Sequence, residues 1–126
     1  MSLVLVDTSV WVDHFRQRND GLMQLLMADL VLTHPMVRGE LACGTPPART
    51  QTLSDLALLQ AAQHASLDEV MAFVEREQLY GLGCGLIDIT LLASTLMTPS
   101  AKLWTLDKRL CNLAQRFGVL HLSALH

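Results

Sequence analysis

Short apolar runs that alternate with helical patterns are the feature that most restricts what this chain can fold into. The candidate strands are residues 3–6, 30–33, 101–106 and 119–122, with a weaker candidate for a short strand at 62–65. The longer runs are largely apolar instead of alternating with polar residues, which is typical of parallel strands buried on both faces. We therefore predict an α/β fold with a mostly parallel central sheet and helices on both faces.

The segments between these runs show helical spacing and capping signals. Glycines at 81, 83 and 85 lead into an apolar helix that extends to about residue 97. Their spacing after a preceding helix differs from that of a phosphate-binding loop, so we expect them to allow close backbone approach. Ser66 and Glu69 form a capping-box sequence. The other expected helices are one from the capping residues 7–9 through Phe15, and those at 22–29, 34–43, 48–60, 66–80 and 108–117.

Size and composition favour one folded domain. A chain of 126 residues, 51% hydrophobic, is long enough for one buried core, so we expect a single domain over residues 1–126. No run approaches the roughly 18 apolar residues of a membrane span, and no basic flank marks a signal peptide. We therefore expect a cytoplasmic protein with no membrane segment. Cys43, Cys84 and Cys111 show no metal-binding or disulfide pattern and are expected to be buried thiols.

Four carboxylates lie in apolar surroundings, and each has an ordinary structural explanation by itself. Asp7 follows the first strand and could cap a helix. Asp88 lies in the first turn of an apolar helix, where free backbone amides favour an acid. Glu40 shares a helix with Arg38 and could form an ion pair with it, while Asp107 ends a strand and precedes a helix.

Taken together, these four acids favour one shared site. Ligands of parallel sheets bind beyond the carboxyl ends of the strands, where Asp7 and Asp107 lie. Asp88 and Glu40 can reach the same edge from early helical turns. A single metal site explains that coincidence better than four unrelated caps and ion pairs. Oxygen ligands without a Cys or His pattern select Mg²⁺ or Mn²⁺.

The charge balance is acidic because of these same positions. Nine Lys and Arg residues face twelve Asp and Glu residues, giving a net charge of −3, and without the four acids the balance is nine against eight. Bound divalent cations would change the local sign of the charge. The acidic balance therefore does not exclude a nucleic-acid substrate.

Four segments resemble the acidic motifs of PIN-domain ribonucleases. They are 6–11 (Val-Asp-Thr-Ser-Val-Trp), 38–41 (Arg-Gly-Glu-Leu), 86–88 (Leu-Ile-Asp) with 92–94 (Leu-Ala-Ser), and 104–107 (Trp-Thr-Leu-Asp). The resemblance extends over nearly the whole chain. Length and the first motif are most similar to the VapC-type toxins of toxin–antitoxin pairs.

This resemblance implies a metal-dependent endoribonuclease that hydrolyses RNA phosphodiester bonds with Mg²⁺ or Mn²⁺. The metal ligands and catalytic residues it implies are Asp7, Glu40, Asp88 and Asp107, with supporting hydroxyls from Thr8, Ser9 and Thr105. It also implies a homodimer and inhibition by a small antitoxin whose tail fills the site. The candidate RNA-binding cations close to these motifs in the sequence are Arg16, Arg38, Lys108 and Arg109.

Two other classes of protein stay open on the sequence. A phospho-receiver signalling domain is also a small parallel α/β protein with Mg²⁺-binding carboxylates. It needs an acid pair after the first strand, whereas Asp7 is followed by Thr8 and Ser9, and it needs an acceptor Asp after a middle strand, whereas Asp55 lies in a helical pattern. A non-catalytic PIN-like binding protein is disfavoured by the complete set of four acids.

The three cysteines generate a first prediction. Because no activating base is evident beside Cys43, Cys84 or Cys111, we expect none of them to be catalytic. A variant with all three replaced by Ser or Ala should retain metal-dependent RNA cleavage, measured beside circular dichroism as a check of folding. Loss of cleavage in a folded, metal-binding variant would show the prediction to be wrong.

Overall fold

A four-stranded parallel sheet forms the centre of the protein, seen here in a computed structural model that describes residues 2–123. Its strands are β1 (Leu3–Val6), β2 (Val31–Thr33), β3 (Gln60–Ala61) and β4 (Ala101–Trp104), in the spatial order β3-β2-β1-β4. All pairings are parallel, and β1 pairs with β4 over the register Leu3 with Ala101 to Val6 with Trp104. The strand β1 is therefore internal, with a neighbour on each side.

Helices occupy the connections between the strands, and one helix follows the last strand. They are α1 (Thr8–Arg16), α2 (Asp20–Met27), α3 (Pro35–Ala42), α4 (Arg49–Ala57), α5 (Leu67–Glu77), α6 (Leu86–Met97) and α7 (Lys108–Arg116). The Ser66 and Glu69 capping box is confirmed: the Ser66 hydroxyl accepts from the Glu69 amide at 3.1 Å, and the Glu69 carboxylate accepts from the Ser66 amide at 2.9 Å. Within residues 2–123, none of these helices is long and apolar enough to cross a membrane.

Both faces of the sheet are covered. Val4, Leu5 and Val6 are each at most 1% exposed, and successive side chains of a strand point to opposite faces. Leu103 of β4 and Leu32 of β2 are likewise fully buried. The predicted α/β fold with a parallel sheet and helices on both faces is therefore confirmed.

Two predicted strands differ from the structure. Within the described residues, the run at 119–122 makes an isolated bridge and no strand: Leu103 donates to the Val119 carbonyl and accepts from the His121 amide. The strand expected at 62–65 lies two residues earlier, as β3. The chain leaves the sheet there because the Gln63 amide donates to the Thr98 hydroxyl at 2.9 Å, outside the sheet.

Several predicted elements are shorter in the structure for local reasons. The strand at 101–106 ends at Trp104 because the next backbone amides turn to side chains: that of Leu106 donates to the Ser9 hydroxyl and that of Asp107 to the Thr105 hydroxyl. Helix α5 ends at Glu77 because Gln78 has a positive φ of 54°. The left-handed conformation of such a residue terminates a helix.

His34 links the start of α3 to the middle of α6, the two helices that carry Glu40 and Asp88. Its ring is 3% exposed, Nδ1 accepts from the Met36 amide at 3.0 Å, and Nε2 lies 3.1 Å from the Ser94 hydroxyl. Because Nδ1 accepts, the neutral ring carries its proton on Nε2 and donates it to Ser94. Burial, together with the nearby His64, lowers the pKa of His34 to about 4.

This lowered pKa generates a prediction about stability. Between pH 6.5 and pH 4 the unfolded chain binds a proton at His34 while the folded chain does not. The contribution of the neutral ring to the free energy of unfolding is complete above pH 6.5 and is lost as the pH falls towards 4, by up to ~3 kcal/mol. Urea unfolding in EDTA at a series of pH values measures it.

The matched variant is His34→Asn, which keeps a helix-capping acceptor but cannot titrate. The difference in unfolding free energy between the wild type and His34→Asn should shrink as the pH is lowered from 7 to 4. Other titrating groups cancel in this difference. A difference that does not change with pH would contradict the prediction.

Candidate active site

The four predicted carboxylates approach one another at the carboxyl edge of the sheet. Asp7 follows β1, Asp107 follows β4, Glu40 lies on α3, and Asp88 lies in the first turn of α6. Burial raises the pKa of Asp88, and the charges of Asp7, Asp107 and Glu40 raise it further. The structure therefore brings the four acids within electrostatic range of one another, and we call them the carboxylate cluster.

Asp7 is the buried member of the carboxylate cluster. It is 5% exposed, and its Oδ2 accepts from the Ser9 hydroxyl at 2.7 Å and from the Thr105 hydroxyl at 2.8 Å. Although Asp7 occupies the cap position of α1, its side chain makes no capping hydrogen bond. The interpretation of its carboxylate as a helix cap is therefore wrong, because two hydroxyls hold that carboxylate at the edge of the sheet.

The same hydroxyls organise the chain after β4. Ser9 Oγ accepts from the Leu106 amide at 3.0 Å, and Thr105 Oγ1 accepts from the Asp107 amide at 3.1 Å. Each hydroxyl thus donates to Asp7 and accepts from the backbone that leads to Asp107. The predicted supporting residues Ser9 and Thr105 connect two acids that are 100 residues apart in the chain.

Glu40 is held by the third predicted hydroxyl. The Thr8 hydroxyl donates to Glu40 Oε1 at 2.6 Å. The alternative ion pair with Arg38 does not form: among the described residues, the salt bridge within 4.0 Å joins Arg18 and Asp20. The carboxylate of Glu40 is exposed and oriented by a neutral donor.

Asp88 and Asp107 each accept a hydrogen bond from a backbone amide at the start of a helix. The Gly85 amide donates to Asp88 Oδ2 at 3.3 Å, and the Leu110 amide donates to Asp107 Oδ1 at 2.9 Å. Burial is the largest cause that raises the pKa of Asp88, the neighbouring carboxylates add to it, and the Gly85 hydrogen bond opposes it. The structural and functional explanations of these two acids are therefore compatible.

Carboxylate and hydroxyl oxygens are the donors that Mg²⁺ or Mn²⁺ prefers, so the residue types fit a hard divalent cation. Within residues 2–123, however, no three His, Cys, Asp or Glu side chains come close enough together to hold one metal ion. The physical reason lies in the contacts above: like charges repel, and each acid of the cluster turns to a local donor. Rotation of these side chains would have to accompany metal binding.

Two cysteines lie beside the carboxylate cluster, a proximity that the sequence analysis missed. Burial and then the charges of Asp88 and Asp107 raise the pKa of the Cys84 thiol, against the opposing charge of Arg109. Burial and then Asp107 and Asp7 raise the pKa of the Cys111 thiol. Both shifts suppress the thiolate. The position of Cys111 one helical turn after Asp107 is the signal that could have revealed it.

The expectation that all three thiols are buried is wrong for Cys43. It lies at the end of α3 and is exposed, whereas Cys84 and Cys111 are partly buried. The end of a helix that faces a proline-containing loop leaves this side chain in solvent. No disulfide forms among these cysteines, as expected.

The predicted RNA-binding cations lie at different places around the cluster. Arg16 lines a cavity of about 420 Å³ together with Thr8 and Glu40. Arg38 instead lines a cavity against α4, because two residues along a helix turn its side chain away from the face of Glu40. Lys108 is exposed at the start of α7. The structure therefore brings Arg16 to the cluster and separates Arg38 from it.

Arg109 reaches the glycine loop that leads into α6. Its Nη1 lies 3.5 Å from the Gly83 carbonyl oxygen. Its charge also acts on the thiol of Cys84, which in turn feels Asp88 and Asp107. The guanidinium group therefore lies near this side of the carboxylate cluster.

Comparisons with known proteins agree with this architecture. Residues 4–116 match the family model described as the PIN domain. Two curated relatives, both called Ribonuclease VapC32, come from Mycobacterium tuberculosis strains CDC 1551 / Oshkosh and ATCC 25618 / H37Rv. Each is 41% identical over 117 residues, which cover 93% of this chain and 94% of the relative. The chain therefore belongs to the PIN-domain family, and within it to the VapC-type ribonucleases.

Proposed function

We propose that this chain hydrolyses RNA phosphodiester bonds as a metal-dependent endoribonuclease and is the toxin component of a type II toxin–antitoxin pair. Membership of the VapC-type ribonucleases supports both statements. The observation that carries the catalytic proposal is the convergence of Asp7, Glu40, Asp88 and Asp107 at one sheet edge. Within residues 2–123, none of these acids has a basic partner within 4.0 Å.

The proposed metal ligands are the four acids, and the proposed ion is Mg²⁺ or Mn²⁺. Asp7 is the fixed ligand, because two hydroxyls hold it in a buried position. Glu40 is oriented by Thr8, while Asp88 and Asp107 are positioned by backbone amides at the starts of α6 and α7. A bound divalent cation supplies an activated water and neutralises charge on the phosphate that is cleaved.

The protein's own residues provide the remaining requirements of the reaction. Ser9 and Thr105 orient Asp7 and hold the backbone that carries Asp107. The raised pKa of Asp88 means that a proton competes with a cation for this carboxylate at a higher pH than it would for an ordinary aspartate. Arg16 and Arg109 are proposed to hold RNA phosphates at the rim, with Lys108 as a further candidate there. Arg38, which faces α4, is a candidate for a phosphate contact away from the cluster.

The competing classes are less well supported. The match to the PIN domain over residues 4–116 is not that of a phospho-receiver, and Asp55 lies within α4 as the helical pattern predicted. A non-catalytic binding protein would not need Asp7 buried among hydroxyl donors at the same edge as three other acids. Each acid that the resemblance implies is present.

The proposed partners are RNA, a small antitoxin and a second copy of the chain. An antitoxin tail that fills the site would contact the cavity of about 420 Å³ that Thr8 and Glu40 line. Val12 and Phe15 also line this cavity. We also propose that residues 1–126 form one domain and that the protein acts in the cytoplasm. These proposals rest on the family and on the composition of the chain.

The proposed role of Asp88 and Glu40 as metal ligands predicts a stability change of opposite sign to that expected for helix caps or ion-pair partners. Asp88→Asn and Glu40→Gln keep an oxygen acceptor for Gly85 and Thr8 but remove a negative charge from the cluster. Their stability in EDTA should be unchanged or higher, because like-charge repulsion falls. RNA cleavage should fall by about 100-fold or more, and the stabilisation by Mn²⁺ should shrink.

Thermal melts in EDTA and in Mn²⁺, run beside a labelled-RNA cleavage assay, measure these effects. Asp55→Asn is the matched control, because Asp55 lies on α4 and accepts a hydrogen bond from Gln51 within its own helix. The control should keep both cleavage and metal stabilisation. A variant of Asp88 that loses about 1 kcal/mol of stability yet stays active would identify it as a cap.

The proposed homodimer generates a separate prediction. Leu67 and Met71 lie one turn apart on α5 and are 58% and 54% exposed, which leaves an apolar stripe without cover within one chain. Light scattering at micromolar concentration should give twice the chain mass of 13.9 kDa. A mass of 13.9 kDa over the whole concentration series would argue for a monomer.

A further inference from the structure

Arg109 lies over a glycine whose missing side chain leaves room for it. Its Nη1 is 3.5 Å from the Gly83 carbonyl oxygen. A Cβ atom added at Gly83 would lie 2.6 Å from Nη1, 2.7 Å from Cδ and 2.9 Å from Cζ of Arg109. Any residue other than glycine at this position would therefore displace the arginine side chain.

The neighbouring Gly81 shows that the contact of Gly83 with Arg109 is distinct from the need for glycine at a positive φ angle. Gly81 and Gly83 have φ values of +73° and +85°, which residues other than glycine rarely adopt. A Cβ added at Gly81 would meet no atom within 4 Å. A substitution at either glycine would thus strain the backbone similarly, but of the two only Gly83 leaves room for the arginine side chain.

This loop places the arginine beside the carboxylate cluster. Gly83 is two residues before Gly85, whose amide donates to Asp88 at 3.3 Å, and two residues span at most about 7 Å. Between Gly83 and Gly85 lies Cys84, whose thiol pKa is affected, besides burial, by the charges of Asp88, Asp107 and Arg109. The guanidinium group therefore lies on the side of the carboxylate cluster formed by Asp88 and Asp107.

The charge of Arg109 is not neutralised by a carboxylate. Within residues 2–123, Arg109 makes no ion pair within 4.0 Å, and its side chain is exposed. Other arginines are already engaged: Arg49 donates to the carbonyls of Ala42 and Gly44, and Arg76 and Arg116 lie over phenylalanine rings. A guanidinium held by one weak hydrogen bond keeps donors for a phosphate, which it binds with a planar fork.

We propose that Gly83 is a positioning residue that seats Arg109 to bind an RNA phosphate next to the carboxylate cluster. This inference rests on the proposed RNA-cleaving function and adds a specific anion contact to it. RNA is repelled by a group of acids, so a cation at their rim fixes where the backbone can enter. The contact with Gly83 restricts the long side chain of Arg109 before RNA binds, which lowers the conformational entropy lost on binding.

The test measures binding of a fluorescein-labelled, mixed-sequence, single-stranded RNA by anisotropy over a range of KCl concentrations. Ca²⁺ replaces Mg²⁺, and a gel confirms that the RNA stays intact. Arg109→Ala should weaken binding about 3- to 10-fold near 0.1 M salt and reduce the slope of log Kd against log salt by about 0.7, the value for one phosphate of a single strand. Arg109→Lys should keep most of this slope.

Gly83→Ala should weaken binding and reduce the slope as Arg109→Ala does, because the new Cβ displaces the flexible end of a side chain and not the backbone. Gly81→Ala is the matched control, with the same kind of backbone strain and no contact, and should leave the slope unchanged. The double variant Gly83→Ala with Arg109→Ala should bind RNA no more weakly than Arg109→Ala alone. Both substitutions remove the same contact, that of Arg109 with the phosphate.

Other outcomes would overturn the inference. If Arg109 only clasps the loop, Arg109→Ala will lower the melting temperature without changing the salt slope. Equal slopes for Gly83→Ala and Gly81→Ala, tighter binding by Gly83→Ala, or no RNA binding by the wild type would each contradict it. If Gly83→Ala does not fold, the slope of Arg109→Ala still decides. Cleavage of cellular RNA by the wild type in Mn²⁺ tests the proposed function separately.

Discussion

The buried carboxylate of Asp7 is the constraint on which the arrangement of the site depends. It lies at the end of β1, the strand between β2 and β4, and is 5% exposed. A buried charge is costly unless it is hydrogen-bonded or paired. Two hydroxyls meet this requirement, one from α1 and one from the segment after β4. Satisfying a single charge therefore brings together two distant parts of the chain.

The remaining acids are placed by contacts that also stabilise the fold. Asp107 accepts from the Leu110 amide and Asp88 from the Gly85 amide, so each satisfies backbone donors at the start of a helix. Thr8, the first residue of α1, donates to Glu40 of α3. These local partners let four like charges share one edge, although burial and mutual repulsion raise the pKa of Asp88. The same partners explain why Asp88 and Asp107, each taken alone, resemble ordinary caps.

The apolar core provides the stability against which this repulsion acts. Leu5, Leu32 and Leu103 of three adjacent strands are fully buried, and Leu91 and Leu92 of α6 pack into the same core. Asp88 lies in the first turn of α6, so the N-terminal end of this helix carries a charge while the rest of the helix is largely apolar. The four acids thus lie on helices or close to the ends of buried strands, an arrangement that suits a site that must keep several ligands in place.

Most elements of the fold could be predicted from the sequence, and the four acids could be singled out there as candidates, because their signals are local. Apolar runs, the Ser66 and Glu69 capping box and helical spacing all act over a few residues. Each acid is also conspicuous because apolar residues surround it. The family resemblance rested on these same short motifs, and the match over residues 4–116 confirms it.

The tertiary structure decided the features that depend on residues far apart in the chain. The run at 119–122 has strand character, but among residues 2–123 it makes one isolated bridge, between Leu120 and Leu103. Cys111 and Cys84 lie near the carboxylates, and Arg38 turns away from them. The contact of Gly83 with Arg109 joins residues that are 26 positions apart. No short-range pattern encodes such a pairing, because packing of α6 and α7 on one sheet is what brings these side chains together.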